Sequence, residues 1–510
     1  MLAVAGVSCS SAPDAQALEE QRQQQRALNT RLLGECLGFL VDADSDSLQA
    51  DEMLRDYYAD STHTCLWVND LMPTAESDSL LATLQREARR AGFPPAAFGL
   101  DTIAADIDSL HRVSTDSLCP RHIGQLARVE YLLSKAYLRF VKGQRHGFVD
   151  NPEKLLNKNE YVHNASEQHI KPLPSSFADE AISHARDGQA IAYVLQSRPT
   201  SALYQRYEQQ LPVATDTLTR RRLMANMERE RWHHANRPSA SDAKYVLVNA
   251  AAQQLWAVGP DTVLQMRVVC GARRSKTPLM RCTIGSVEVN PEWHIPPKLV
   301  RDEVSAHAGN AAYFERLHYV ILNSKGDTVP PESVTREQMA ANHFRVNQLR
   351  GPGNALGRLK FNISNPFSVY LHDTNQKGAF SRADRALSHG CVRVQKPYEL
   401  ACFVLGLNEV DHEATLDQLR VAIGMTPTTE KEQQFLADHA DDPAAILNHA
   451  GRWRGVPGNV PVYIIYNTLY PSPVDDKMET WGDPYGFDAL LLKAMTPYLQ
   501  TPAPALPPSP

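Results

Sequence analysis

"SVYLHDT", residues 368–374, reads as one β-strand, with Asn365 and Pro366 just before it and Asp373 near its end. Side chains on a strand alternate between faces, so Val369 and Leu371 turn to one side, into a core. Tyr370 and His372 then share the other side. A histidine and a tyrosine facing a cleft from an otherwise apolar strand offer a base and a hydrogen-bond donor. A satisfied structural histidine fits that strand equally well when it is read alone.

Nineteen positions after His372 stands Cys391, inside "ALSHGCVRVQ", residues 386–395. By itself this thiol fits three roles: a nucleophile, half of a disulfide, or an inert core residue. The segment between, "DTNQKGAFSRADRALSHG", is polar and loop-like, so it can fold back and bring the thiol to the imidazole. A thiol attacks as thiolate, and a neighbouring imidazole can sustain that state as an ion pair. Gly390 removes side-chain bulk beside the sulfur, and backbone N–H groups around Cys391 would form an oxyanion hole. Together these features make a coherent acyl-transfer site.

Outward from this pair the pattern is one of short strands. "KYVLVNA", "QQLWAVG", "TVLQMRVVCG", "IGSVEVN" and "RLKFNISN" precede it, each bounded by Gly, Asn, Asp or Pro, and "VPVYIIYNTLY" at 460–470 follows. Residues 291–350, opening "PEWHIPPKLVRDEV", are Pro-broken and partly helical, the composition of an inserted lid or cap rather than a sheet. "KPYELACFVLG" reads as a helix with Pro397 in its first turn and Gly406 at its end. Upstream the period changes. "QLARVEYLLSKAYLRFVKG" sets Leu126, Val129, Leu133, Ala136, Tyr137 and Phe140 on one helical stripe, with Gly143 as a stop. The expected class is α+β: a mostly helical N-terminal domain over 30–235 and a mainly β domain over 240–490. Residues 1–29 read as a leader and solvated tether, and 491–510 as a Pro-rich disordered tail.

Composition narrows the function. Hydrophobic residues make up 43% and charged residues 22%, the balance of an ordinary globular chain, and the net charge of −6 gives no reason to expect nucleic-acid binding. No run approaches the roughly 18 apolar residues of a membrane span. Membrane contact is confined to a tether: "MLAVAGVSCSSAPDAQ" resembles the end of a bacterial lipoprotein signal with Cys9 as the lipidated residue, or the tail of a cleaved secretory signal. The eight cysteines, at 9, 36, 65, 119, 270, 282, 391 and 402, contain no CxxC pair, and acidic "DADSDSLQADEMLRDYYAD" is a solvated helical face, so no metal is assigned. Cys270 and Cys282 are conceivable disulfide partners in an oxidising envelope; unpaired buried thiols are the plainer reading.

"YLHDT" followed by "SHGCVRV" resembles the catalytic signature of L,D-transpeptidases, the YkuD-type domain that remodels bacterial peptidoglycan. "CGARRSKTPLM" with Thr277 and Pro278, "VNPEWHIPP" with Asn290, Trp293 and Pro296, and "GPGNALGRLKFNI" resemble further parts of that domain. "NMERERW" at 226–232 and "DPYGFD" resemble the large periplasmic branch, which carries a helical scaffold domain. The resemblance implies Cys391 as the acylated nucleophile and His372 as its base. It implies that the main-chain carbonyl of Asp373 orients the imidazole, that His389 and Gly390 shape the pocket, and that Tyr370 bonds substrate near the oxyanion. Arg393 stands where smaller members carry asparagine; it would order the loop or meet a substrate carboxylate. Trp293 and Thr277 fall with the lid and substrate channel.

The implied donor is a peptidoglycan tetrapeptide stem and the implied acceptor an amine, with no cofactor. Cell-wall synthesis proteins are candidate partners of the helical domain, and the location is the periplasm or cell envelope. The stretch between residues 143 and 226 leaves little room for the peptidoglycan-binding module usual in the large branch. Water or a protein lysine as acceptor would make the same site an L,D-carboxypeptidase or a lipoprotein-to-wall ligase. A papain-like peptidase is disfavoured because its cysteine precedes its histidine in the chain. A non-catalytic wall scaffold is disfavoured by the intact Cys–His pair.

Overall fold

The computed structural model describes residues 15–59, 64–156, 170–232, 237–238 and 241–500. Cys9, part of the 151–164 loop sequence, most of the 236–240 linker and the final ten residues lie outside that description. The chain forms two compact units. The first comprises Met1–Asn151, Pro172–His233 and Ala489–Pro510; the second comprises Pro152–Lys171 and His234–Asp488.

The first unit is helical. Its centre is helix Pro120–His146, against which Ala15–Ala43, Gln49–Ala59 and Leu100–Leu110 pack. The expected stripe is buried: Leu126, Val129, Leu133 and Tyr137 have no exposed surface. Gly143, read as a stop, lies inside the helix instead. A Cβ there would sit 2.2 Å from the Phe148 ring, so the glycine makes room for an aromatic side chain. Two boundaries also move. Residues 15–29 are not a loose tether but the front of the first helix. Residues 491–500 are not part of a disordered tail: helix Thr496–Leu499 carries Tyr498, fully buried, with its ring 4.8 Å from Phe148 and 5.7 Å from Phe98. Aromatic burial of this size offsets the entropy of ordering a chain end.

The second unit is built on a β-barrel. Its strands are β1 (Tyr245–Asn249), β2 (Gln254–Val258), β3 (Val263–Gly271), β4 (Met280–Val289), β5 (Leu359–Ile363), β6 (Leu371–His372), β7 (Ala386–Ser388), β8 (Val392–Val394) and β9 (Trp453–Ile465). They pair in the order β3–β8–β6–β5–β4–β9–β1–β2, and β2 returns to β3 to close the ring, with β7 added along β3. Closure removes the exposed edges of an open sheet. Strand β6 is shorter than "SVYLHDT" suggests: it pairs parallel to β8 over two positions only, with Leu371 opposite Val392 and His372 opposite Arg393.

Between β4 and β5 the lid segment contains a sheet after all. Trp293–His294, Arg345–Gln348, Tyr319–Leu322 and Thr328–Val329 form four antiparallel strands. Helices Pro297–Asp302, Ala311–Arg316 and Arg336–Ala340 close them around Leu299, Val300, Phe314, Ile321, Met339 and Val346. The prolines that suggested an irregular cap sit at helix starts, Pro297 at the first position of its helix, so they punctuate a small folded core. Among the described residues no helix is long and apolar enough to cross a membrane.

Candidate active site

Register across the barrel assembles the site. Arg393 on β8 lies opposite His372 on β6; His372 lies opposite Lys360 on β5; Lys360 lies opposite Glu288 on β4. Side chains opposite one another project from the same face. Alternation puts Tyr370 and Cys391 on that face too, while Leu371, Val392, Leu359 and Phe361 turn the other way and are wholly buried. The Tyr370 and His372 rings meet edge to face, centroids 5.6 Å apart.

The loop carrying Cys391 is held from behind. Ser388 Oγ donates to the Cys391 carbonyl at 2.5 Å and accepts from the Gly390 amide at 3.1 Å. The Ser388 carbonyl accepts from the Ala272 amide and from Ser275 Oγ. Thr277 Oγ1 accepts from the Gly271 amide and donates to the Gly390 carbonyl at 2.8 Å. Tyr485, in "DPYGFD", donates to the Gly271 carbonyl and accepts from the Thr277 amide. Thr277 is 1% exposed, so it clamps the loop and does not line a channel. Gly390 has φ +124°, a conformation that side-chain-bearing residues rarely adopt. A Cβ there would meet nothing nearer than 3.8 Å, so backbone conformation, not bulk, requires the glycine. The Gly390 and Val392 amides are both committed, the latter to the Tyr370 carbonyl, which leaves the Cys391 amide as the candidate oxyanion donor.

Cys391 and His372 do not hydrogen-bond to each other; Sγ lies beside the Tyr370 hydroxyl and main chain and makes a long contact, 4.0 Å, to the Ser368 carbonyl. Such bonds often tighten only when substrate is present. Burial pushes the Cys391 thiol up to about 11, while Tyr370, Lys360 and Arg393 pull the other way. Burial and then Arg393 push His372 down to about 3. Burial therefore works against both the thiolate and the imidazolium, the two charged forms the sequence reading paired. The reason is desolvation, which disfavours both charged forms. The main-chain groups of Asp373 and Leu356 come close enough to favour a protonated ring, yet His372 Nδ1 meets no acceptor at hydrogen-bonding geometry. Asp373 is buried, its carboxylate accepting from the Arg358 amide at 2.8 Å and from Lys377.

Arg393 donates from Nη1 to Gln376 Oε1 at 2.9 Å, tying β8 to the loop after β6, while its buried Nε has no hydrogen-bond partner. His389 turns outward, with Nε2 3.2 Å from Glu303 Oε1 of the lid. Trp293 is half-buried against the lid core and close enough to the Tyr370 hydroxyl to influence it; burial, then the Cys391 sulfur, hold that phenol well above its usual range. The seven described cysteines are unpaired, Cys270 and Cys282 among them, and burial pushes each of these two up to about 12.

Sequence reasoning missed Lys360, Glu288, Ser388, Gln376, Glu303 and the part played by Tyr485. Lys360 had a legible signal, since Leu359-Lys360-Phe361-Asn362-Ile363 alternates and places it on the polar face. Ser388 and Gln376 stand inside the quoted segments, but their partners appear only in the fold, and Glu288, Glu303 and Tyr485 come from distant segments.

Comparison with known proteins matches this architecture. Residues 243–429 match the L,D-transpeptidase catalytic domain (YkuD), and residues 52–211 match a scaffold domain. The chain therefore carries a catalytic domain of the L,D-transpeptidase family together with a scaffold domain. A Haemophilus influenzae protein provisionally named an L,D-transpeptidase is 30% identical over 226 residues. The match takes in 44% of this chain and spans 46%, about half, of that relative's length.

Proposed function

We propose that the protein is a peptidoglycan L,D-transpeptidase of the cell envelope acting through Cys391. The single observation that carries this reading is the shared face of Tyr370, His372, Cys391 and Arg393 beside a folded lid. His372 takes the thiol proton as Sγ attacks the carbonyl between the third-position diamino acid and the terminal D-alanine of a tetrapeptide stem. The C–N bond breaks, the proton passes to the departing D-alanine amine, and an acyl thioester remains. The side-chain amine of a second stem then attacks, forms an amide between two third-position residues and restores the thiol. Concerted proton removal suits a site in which burial disfavours both charged forms.

Positions Gly390, His389, Tyr370 and Arg393 shape the acyl pocket, and Trp293 contributes at the lid. The scaffold domain serves as a docking body for cell-wall synthesis proteins, and a lipid on Cys9 would hold the chain at a membrane. Carbapenems acylate Cys391 by opening their strained ring. The lid favours an amine over water as acceptor because it shields the thioester; with water the product is the tripeptide of an L,D-carboxypeptidase, and with a protein lysine it is a wall-linked lipoprotein.

Purified protein and Cys391→Ala are incubated with disaccharide-tetrapeptide and the products weighed by mass spectrometry. A dimer lacking one D-alanine supports transpeptidation, and tripeptide alone supports hydrolysis. Equal turnover by the variant removes Cys391 from the mechanism.

A further inference from the structure

We infer that Lys360 is a positioning residue for Cys391, an anchored cation whose charge stabilises the thiolate as the proton leaves. The inference rests on the reading of Cys391 as nucleophile and adds a residue to that site. Lys360 lies directly across β5 and β6 from His372, and its Nζ stands 4.7 Å from the centre of the Tyr370 ring, the same ring that borders the sulfur. Its side chain is only 19% exposed, so water screens it weakly.

The lysine is held in place. Glu288 Oε2 lies 3.5 Å from Nζ, and Glu288, 2% exposed, is bound from its other side by Arg452 through Nε at 3.1 Å and Nη2 at 3.0 Å. One carboxylate between two cations leaves this cluster with a net positive charge. The carboxylate thus anchors Lys360 without cancelling the field it sets up. Arg393 supplies a second cation from the opposite side of His372.

The need for such charge follows from the site itself. The imidazole is a poor source of it at rest, because burial disfavours the protonated ring of His372. Among the groups facing the sulfur, Tyr370 is held as the neutral phenol, and His389 turns to Glu303. Lys360 and Arg393 are what remains to offset the desolvation of a thiolate. Lys360 also sits over the face of Tyr370, where a cation is attracted to the ring and keeps the phenol body in place.

The test reads the thiol directly and needs no turnover, so absence of stem cleavage would count against the proposed function and leave this inference standing. Iodoacetamide alkylation of Cys391 in the full chain is followed by peptide mass spectrometry across a pH series. Lys360→Met is expected to slow alkylation about three- to tenfold at neutral pH and move its midpoint upward by roughly half to one unit. Lys360→Arg is expected to stay within about twofold of the native rate, because it keeps the charge. Glu288→Gln, which removes the negative partner, is expected to speed alkylation and covers the case in which Lys360→Met does not fold. A Lys360→Met profile that overlays the native one, an equal loss in Lys360→Arg, or slower alkylation in Glu288→Gln overturns the inference.

Discussion

Thr277 Oγ1 holds the Gly390 carbonyl at 2.8 Å and accepts from the Gly271 amide at 2.9 Å, so one buried hydroxyl fastens the loop of Cys391 to the end of β3. The Thr-Pro segment is far from "SHGCVRV" in the chain and reaches it only through the barrel.

Thr277→Val keeps the shape and strips both bonds, leaving a buried amide and a buried carbonyl without partners. The expected cost is about 1–3 kcal/mol of stability. Acylation of Cys391 by a carbapenem should slow at least about tenfold, since small displacements of a nucleophile are expensive. Thr277→Ser should recover most of both. Urea unfolding and intact-mass kinetics measure the two effects; native acylation rates in Thr277→Val would contradict the clamp.

The bond between Glu303 and His389 joins the lid to the catalytic loop at an exposed place, with side chains 60% and 45% accessible. Glu303→Gln should therefore cost under about 0.5 kcal/mol of stability. It should nonetheless raise the proportion of hydrolysed tripeptide over cross-linked dimer, because a less tethered lid admits water to the thioester. Product ratios unchanged in both Glu303→Gln and His389→Ala would show that the contact does not control water entry.

His372 dictates a dependence of stability on acidity. Its ordinary value is 6.5 and in the fold it lies near 3, so the unfolded chain binds the proton first. The stabilisation from keeping it neutral is complete above pH 6.5 and declines as pH falls through 6.5 towards 3, by about 1.4 kcal/mol per pH unit. Between pH 7 and pH 5 the native chain should lose roughly 2 kcal/mol more than His372→Asn, which has no proton to bind. Denaturant midpoints at the two pH values test this, and parallel losses would refute it.

In the helical unit, Gly143→Ala tests packing alone. An exposed helical glycine gains stability when replaced by alanine. Here the new methyl would sit 2.2 Å from a carbon of Phe148, whose ring packs on Phe93 at 4.4 Å and Tyr498 at 4.8 Å. A loss of about 1–3 kcal/mol is expected instead. Thermal denaturation gives the sign, and Cys391 alkylation should be unaffected.

By itself the sequence determined what local chemistry and period can encode. The alternation in "SVYLHDT" put Tyr370 and His372 on one face, and the helical stripe through Leu126 and Tyr137 announced a buried helix. Only the tertiary structure decided the rest. Barrel register brought Lys360 and Glu288 into line with His372, because strand partners depend on closure and not on neighbours in the chain. Burial sets itself against the charged forms of both His372 and Cys391, since desolvation is a property of the packed site. Close approach made Gly143 a packing residue in place of a helix stop, and it drew Tyr498 out of an apparent tail into an aromatic core. Each depends on atoms supplied from elsewhere in the chain, which no periodicity in a single segment records.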